Sequence, residues 1–385
     1  MKLFINIMTL LFAIGCSPKK SEKSTILSAQ KYAQLKISVD ENFSQDRTRI
    51  QYFESDSGEY LAILNKIGPA IEIISLSDKL SKARIPIFKD GPNRVGVDNG
   101  FFIAAKDSIL LASIPPSVLI LDFQGNVKKR TSINNPENVV NYLSSTNETP
   151  FLFNGSTLFG AQPFFKNIYQ TTEPEVTRTK VIYKINLENN STDTSEWLPV
   201  FRPKDVWKDG KKSLDFTWTD RGDSIIVSPH TDHRLWIISK KTGELLKYKE
   251  AISSHVKEFR IIKGYPVGDQ GIIETLVTGQ YDLLLHDSYR DIFYRFFYIG
   301  IDWESYGKSP RELYANRPKV GVLVLDHDLD IIGEHVFDDH SVENWNYFVG
   351  KKGLYVSTNN PNRDDFDENF LRYDIIRFEG LEYED

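Results

Sequence analysis

The chain predicts an all-β protein: a single six-bladed β-propeller with its N-terminal strand closing the last blade. Three observations predict it. A short apolar strand followed by a small or acidic residue and a turn recurs six times. A second turn flanked by strand-forming residues precedes each copy. Helical periodicity is nearly absent, although the hard-to-read stretch 252–280 leaves room for a short helix.

Lys2 is followed by an apolar run from Leu3 to Gly15, and Cys16, the only cysteine, comes directly after it. A basic start, about a dozen apolar residues and a small residue before the cut describe a secretory signal. A membrane-spanning helix would need roughly 20 apolar residues. With Ala13, Ile14 and Gly15 ahead of Cys16, the segment resembles a bacterial lipobox. Residues 1–15 are therefore expected to be a lipoprotein signal peptide, with the lipid carried on Cys16. Residues 16–30 are expected to form a flexible tether. The stretch Ser17–Thr25 has no aromatic residue and no period, and a chain from Cys16 to Gln30 reaches about 45–50 Å when extended. The tether is basic, whereas surface-export signals of Bacteroidota lipoproteins are acidic, and no aspartate follows Cys16. By that resemblance the expected location is the outer membrane, facing the periplasm.

Residues 31–385 make the propeller. Gln34–Val39 alternates and precedes the first blade, so it is expected to pair into the sixth, joining the ends of the ring and removing an open edge. The recurring strands are Ile71–Ser75, Val118–Asp122, Val181–Asn186, Leu235–Ser239, Val322–Asp326 and Tyr373–Glu379. The preceding turns lie at 55–59, 105–108, 154–156, 220–223, 286–291 and 350–353. Two hairpins per copy make a four-stranded blade. Two β-sandwich domains would explain the strands but not six ordered double hairpins.

Composition narrows the function. Lys+Arg 47 against Asp+Glu 53 gives a net charge of −6, which argues against a nucleic-acid partner. With Cys16 lipidated there is no disulfide and no cysteine-type zinc site. The chain is expected to be a monomer with no cofactor. No G-x-S-x-G, H-E-x-x-H, phosphate loop or G-x-G-x-x-G is present.

The anchor strands are spaced 47, 64, 53, 87 and 53 residues apart, more than the roughly 40–50 of a plain blade in several places. The excess falls in insertions at 162–180, 302–319 and 359–371, which propeller topology gathers on one face. This predicts a ligand-binding rim containing Trp303, Tyr306, Arg311, Arg317 and Arg363, together with His230, Asp232 and His233 of the fourth blade's equivalent loop. His230-Thr231-Asp232-His233 has metal-ligating residue types but no third ligand position, and it reads as a polar turn. Asp326–Asp330 alternates carboxylates but has Ile331 and Phe337 where a calcium loop needs glycine and glutamate, so it reads as a hairpin turn. Asp107-Ser108-Ile109 and Asp223-Ser224-Ile225 resemble the O-glycan acceptor triplet of Bacteroidota envelope proteins, and both fall at hairpin turns.

Tyr281–Phe296 is the least generic segment: a strand, a turn and a strand carrying Asp287, Tyr289, Arg290, Tyr294 and Arg295. It is similar to the tyrosine-arginine hairpin of a family of Bacteroidota lipoproteins of unassigned activity, six-bladed propellers grouped near the TolB-like propellers. That resemblance implies fold and location but no chemistry. On the residues themselves, Arg295 is expected either to pair with Asp287 or a neighbouring blade's carboxylate and lock the blade interface, or, with Arg290, to meet an anionic ligand. The functional expectation is a membrane-tethered binding or interaction module for an envelope protein or glycan. A hydrolase or lyase in the central funnel, and a sensor or accessory subunit of a transport system, stay open as alternatives.

Overall fold

The structure, a computed structural model, describes residues 27–133, 140–164, 166–188 and 195–384. Cys16, the apolar run and most of the expected tether lie outside them. The chain enters on β1 (Ala29–Ser38) and then builds six four-stranded antiparallel sheets. The first blade is β2 (Gln45–Ser55), β3 (Gly58–Asn65), β4 (Ala70–Ser75) and β5 (Leu80–Pro86). The second is β6 (Val97–Ala105), β7 (Ser108–Ile114), β8 (Ser117–Leu121) and β9 (Val127–Ser132). The third is β10 (Leu152–Asn154), β11 (Thr157–Ala161), β12 (Ile182–Asn186) and β13 (Ser195–Trp197). The fourth is β14 (Phe216–Arg221), β15 (Ser224–Pro229), β16 (Arg234–Ser239) and β17 (Leu245–Glu250). The fifth is β18 (Gln280–Asp287), β19 (Ile292–Tyr298), β20 (Val320–Leu325) and β21 (Ile331–Val336). The sixth is β22 (Tyr347–Gly350), β23 (Gly353–Ser357) and β24 (Phe370–Phe378), completed by β1.

The closing strand pairs as expected. β1 runs antiparallel to β24 from Ala29 opposite Phe378 to Ser38 opposite Phe370, with Leu35 and Ile37 buried beneath it. It begins earlier than the alternating stretch because Ala29 and Gln30 also pair. Each recurring apolar strand is the third of its blade, and each preceding turn joins the first two strands. The third strands are rich in apolar residues because both of their faces are largely covered: every residue of β4 and of β20 is buried. Six apolar clusters lie between adjacent blades, including the seam where Leu35, Ile37 and Tyr373 meet Ile50, Leu61 and Ile63.

The loops between second and third strands and the links between blades share one face, the insertion face; the short turns share the other. α1 (Glu173–Val176), which the pattern did not predict, sits in the third blade's insertion; α2 (Gln270–Leu276), in the link before β18, lies in the stretch 252–280 that left room for a short helix; and α3 (Pro310–Ala315), again not predicted, sits in the fifth blade's insertion. These are too short to show a helical period. Their caps were readable: Ser309, Pro310 and Glu312 form a capping box. Leu276, Ile301 and Leu313 then pack α2 and α3 together over the fifth blade.

Candidate functional site

The link between the second and third blades does not run along the rim. It crosses the mouth of the central channel. Ser145 pairs with Gly100 of β6, the Asn147 backbone N–H donates to Thr48 O of β2 at 2.7 Å, and the Asn147 side chain donates to the Trp345 carbonyl ahead of β22. The Glu148 carbonyl accepts from Trp218 N at 3.0 Å and Thr217 Oγ1 at 2.6 Å on β14. This strap touches four blades. It requires a glycine at 100: φ there is +99°, and a Cβ would lie 1.9 Å from Ser145 O.

Beside the strap is a cavity of about 360 Å³ at the insertion-face end of the inner strands. Tyr142, Glu148, Asp215, His230, Asp282 and Arg260 are among its walls, with Phe216, Tyr314 and Trp345 as aromatic surface. Asp282 is its floor. It is 1 % exposed and accepts from Tyr298 Oη at 2.8 Å and Trp345 Nε1 at 3.2 Å; burial pushes its carboxyl up. Asp215 is at the exposed lip and accepts from Ser213 Oγ at 2.5 Å. The Glu148 carboxyl accepts no hydrogen bond from the described residues. Burial, then the charges of Asp282 and Asp215, push it up to about 8. Arg260 donates to Glu274 at 3.1 Å and Thr275 Oγ1 at 3.4 Å, and its Nη2 is buried without a partner among the described residues. His230 contributes a buried Nε2 without a partner among the described residues.

Of the predicted rim residues, only His230 reaches this cavity. Asp232 holds Arg234 at 2.8–3.0 Å, and His233 Nδ1 meets Tyr281 Oη at 2.7 Å on the far side of its loop. The three diverge, and no group of three metal-ligating side chains occurs among the described residues. Trp303 packs against the α2–α3 cluster, and Tyr306 donates to Asp339 at 2.7 Å. Arg311 pairs with Asp269 at 2.8 Å on the surface. Arg317 is buried, donating to Thr275 O at 3.1 Å with its guanidinium 5.0 Å from the Tyr298 ring centre. Arg363 holds Asp365 at 2.7 Å and Ser341 O at 2.9 Å.

The tyrosine-arginine hairpin binds the blades to one another. Arg295 is fully buried and donates to Ser228 Oγ, Pro229 O, Asp232 O, His233 O and Ala251 O at 2.7–3.2 Å, all on the fourth-blade side. Its guanidinium lies 3.3 Å from the Tyr281 ring centre. Its partners are carbonyls and a hydroxyl rather than a carboxylate. Asp287 instead takes Arg290 at 2.6 Å and Tyr294 Oη at 3.2 Å, while Arg290 continues to Gly350 O and Lys351 O of the sixth blade, each at 2.9 Å. Tyr289 meets Tyr52 of the first blade, hydroxyl to hydroxyl, at 3.2 Å. Ser108 and Ser224 open β7 and β15 at equivalent turns on the opposite face.

The family described as Domain of unknown function (DUF4221) matches residues 25–336. The chain belongs to this family. A crystallised DUF4221 member from Bacteroides vulgatus ATCC 8482 has the same fold, with a TM-score of 0.79 at 22 % identity over 92 % of this chain and 99 % of that one. A protein named "Putative exported protein" from Bacteroides fragilis NCTC 9343 superposes with a TM-score of 0.53 at 9 % identity over 92 % and 96 % of the two chains. Among curated proteins, no sequence matches this one.

The cavity residues of this DUF4221 propeller escaped the sequence reading because most sit in blade links, not in the insertions. Glu148 and Asp215 each stand a few residues ahead of an inner strand, and Asp282 lies within one. In a propeller that position places a side chain at the channel mouth. A carboxylate just before or within an inner strand was the signal available.

Proposed function

We propose that the protein is a lipid-anchored propeller of the cell envelope, facing the periplasm, that binds a small polar ligand in the mouth of its central channel. One observation carries the binding reading. The polar rim side chains other than His230 have partners elsewhere in the fold, whereas the cavity beside the strap gathers buried polar atoms without partners among the described residues, His230 Nε2 and Arg260 Nη2, next to the Glu148 carboxyl. A concave site with a few converging polar groups and a perturbed carboxyl is the usual form of a small-molecule site. Aromatic walls beside hydroxyls of Ser144, Thr146 and Thr149 suit a ligand with both polar and apolar faces. The envelope reading is supported by the apolar run ending at Cys16 and by the exported name of the Bacteroides fragilis relative in shape.

Two measurements test the two halves. Cys16→Ala is expected to move the protein from the membrane fraction to the soluble one; an unchanged partition contradicts the anchor. A thermal-shift screen of small envelope metabolites is expected to find stabilising compounds whose effect is lost in Tyr314→Ala. Stabilisers unaffected by Tyr314→Ala and by Glu148→Gln place the ligand elsewhere.

A further inference from the structure

Three acidic side chains from three different parts of the chain line the cavity, Glu148, Asp215 and Asp282, with a single arginine, Arg260, among them. Arg260 donates through Nε to Glu274 and through Nη1 to Thr275, and its buried Nη2 has no partner among the described residues. Arg202, packed behind Asp215, donates to Leu214 O at 3.3 Å. Asp282 has both oxygens occupied by neutral donors, Tyr298 and Trp345. Asp215 has a serine. Glu148, half-buried in the wall, accepts no hydrogen bond from the described residues. The lining therefore holds three carboxyl groups against one guanidinium, that of Arg260, and Tyr142, Phe216, Tyr314 and Trp345 supply ring surface for a charged but weakly hydrated group.

Building on the ligand site proposed above, we propose that the ligand is a small organic cation, its ammonium group seated against the Glu148 carboxylate in the field of Asp215 and Asp282. A metal ion is not the better occupant, because the described residues place no three His, Asp or Glu side chains around one point. Binding is coupled to a proton. In the empty cavity at neutral pH, Glu148 holds its proton, because burial and two neighbouring acids oppose a further charge. An ammonium group supplies the opposite charge, the O–H bond of Glu148 breaks, and the proton leaves to solvent. The other titratable and charged groups facing this point are Asp215, Asp282, His230, Arg260, Tyr142 and Tyr314.

The test uses the full chain in detergent with choline, a permanent cation, and 3,3-dimethylbutan-1-ol, its uncharged counterpart of the same shape. Calorimetric titration should show choline binding in preference to the alcohol, with affinity rising about tenfold from pH 7 to pH 9 as Glu148 passes its midpoint near 8. At pH 7, repeating the titration in buffers of different ionisation enthalpy should show close to one proton released per choline bound. Glu148→Gln, with an unchanged circular dichroism spectrum, should abolish the pH dependence. Equal binding of the two probes, or choline binding that neither changes with pH nor releases a proton, overturns the cation proposal while leaving the ligand site intact. A cavity that binds neither probe overturns the cation proposal too, and the metabolite screen then decides the ligand site separately.

Discussion

At the residue scale, buried charged side chains tie one blade to the next. Arg295 is the clearest: burial holds its guanidinium down to about 10, and it persists because every direction of its fork meets an acceptor. Arg295→Met keeps the stem but leaves those acceptors without donors. The expected loss is about 3–5 kcal/mol in urea unfolding, and a midpoint like that of the wild type would refute the lock. Gly100→Ala is expected to cost about 1–3 kcal/mol, because the strap has to move off Ser145 O. Glu148 makes stability depend on pH. Its carboxyl is raised in the folded protein, so the folded state keeps a proton that the unfolded chain has already released. Stability is thus greatest at and below the ordinary carboxyl range and falls as pH rises toward 8. Asp282, Asp287 and Glu343, also pushed up by burial, act in the same direction. Glu148→Gln should flatten the fall in urea midpoint between pH 5 and pH 8; an identical slope in the variant would assign the effect to the other carboxyls.

At the element scale, β1 decides whether the ring is closed. It is the outer strand of the sixth blade, and Leu35 and Ile37 fill the seam against the first blade. Deleting residues 31–40 exposes the edge of β24 and opens that seam, so the melting temperature should fall and the unfolding transition broaden; an unchanged melting temperature would contradict closure through β1. This element was legible because Gln34–Val39 alternates and no other stretch offered a partner for the last blade. The six double hairpins were legible because their turns carry Gly, Asn, Asp and Ser between strands buried on both faces. Room for α2 was left in the stretch 252–280, but α1 and α3 were not legible, since they are set by capping boxes and by packing rather than by a period of their own.

At the scale of the whole molecule, the path of β1 sets the direction the site faces. The strand enters beside Phe378 at the turn face and leaves beside Phe370 at the insertion face. From Cys16 to Leu27 the chain spans 11 residues, about 36–40 Å when fully extended. Climbing the 10 residues of β1 would use about 33 Å of that. A lipid anchor on Cys16, as proposed above, would therefore keep the insertion face, with its cavity, turned away from the membrane. In vesicles containing spin-labelled lipid, a fluorophore on Lys106→Cys at a short turn should be quenched, and one on Glu304→Cys in the fifth blade's insertion should not; the reverse order would contradict this orientation. The sequence by itself determined the blade count, the closing strand and the hairpin turns, because strand periodicity and turn chemistry are local and repeat. Only the tertiary structure decided the site. Glu148, Asp215 and Asp282 are separated by 67 residues each time along the chain and meet because blade links converge on one axis, a consequence of ring closure that no local pattern records. It also set the partners of the rim arginines, Asp269 for Arg311, Thr275 O for Arg317 and Asp365 for Arg363, since which charge meets which acceptor depends on how the loops fold.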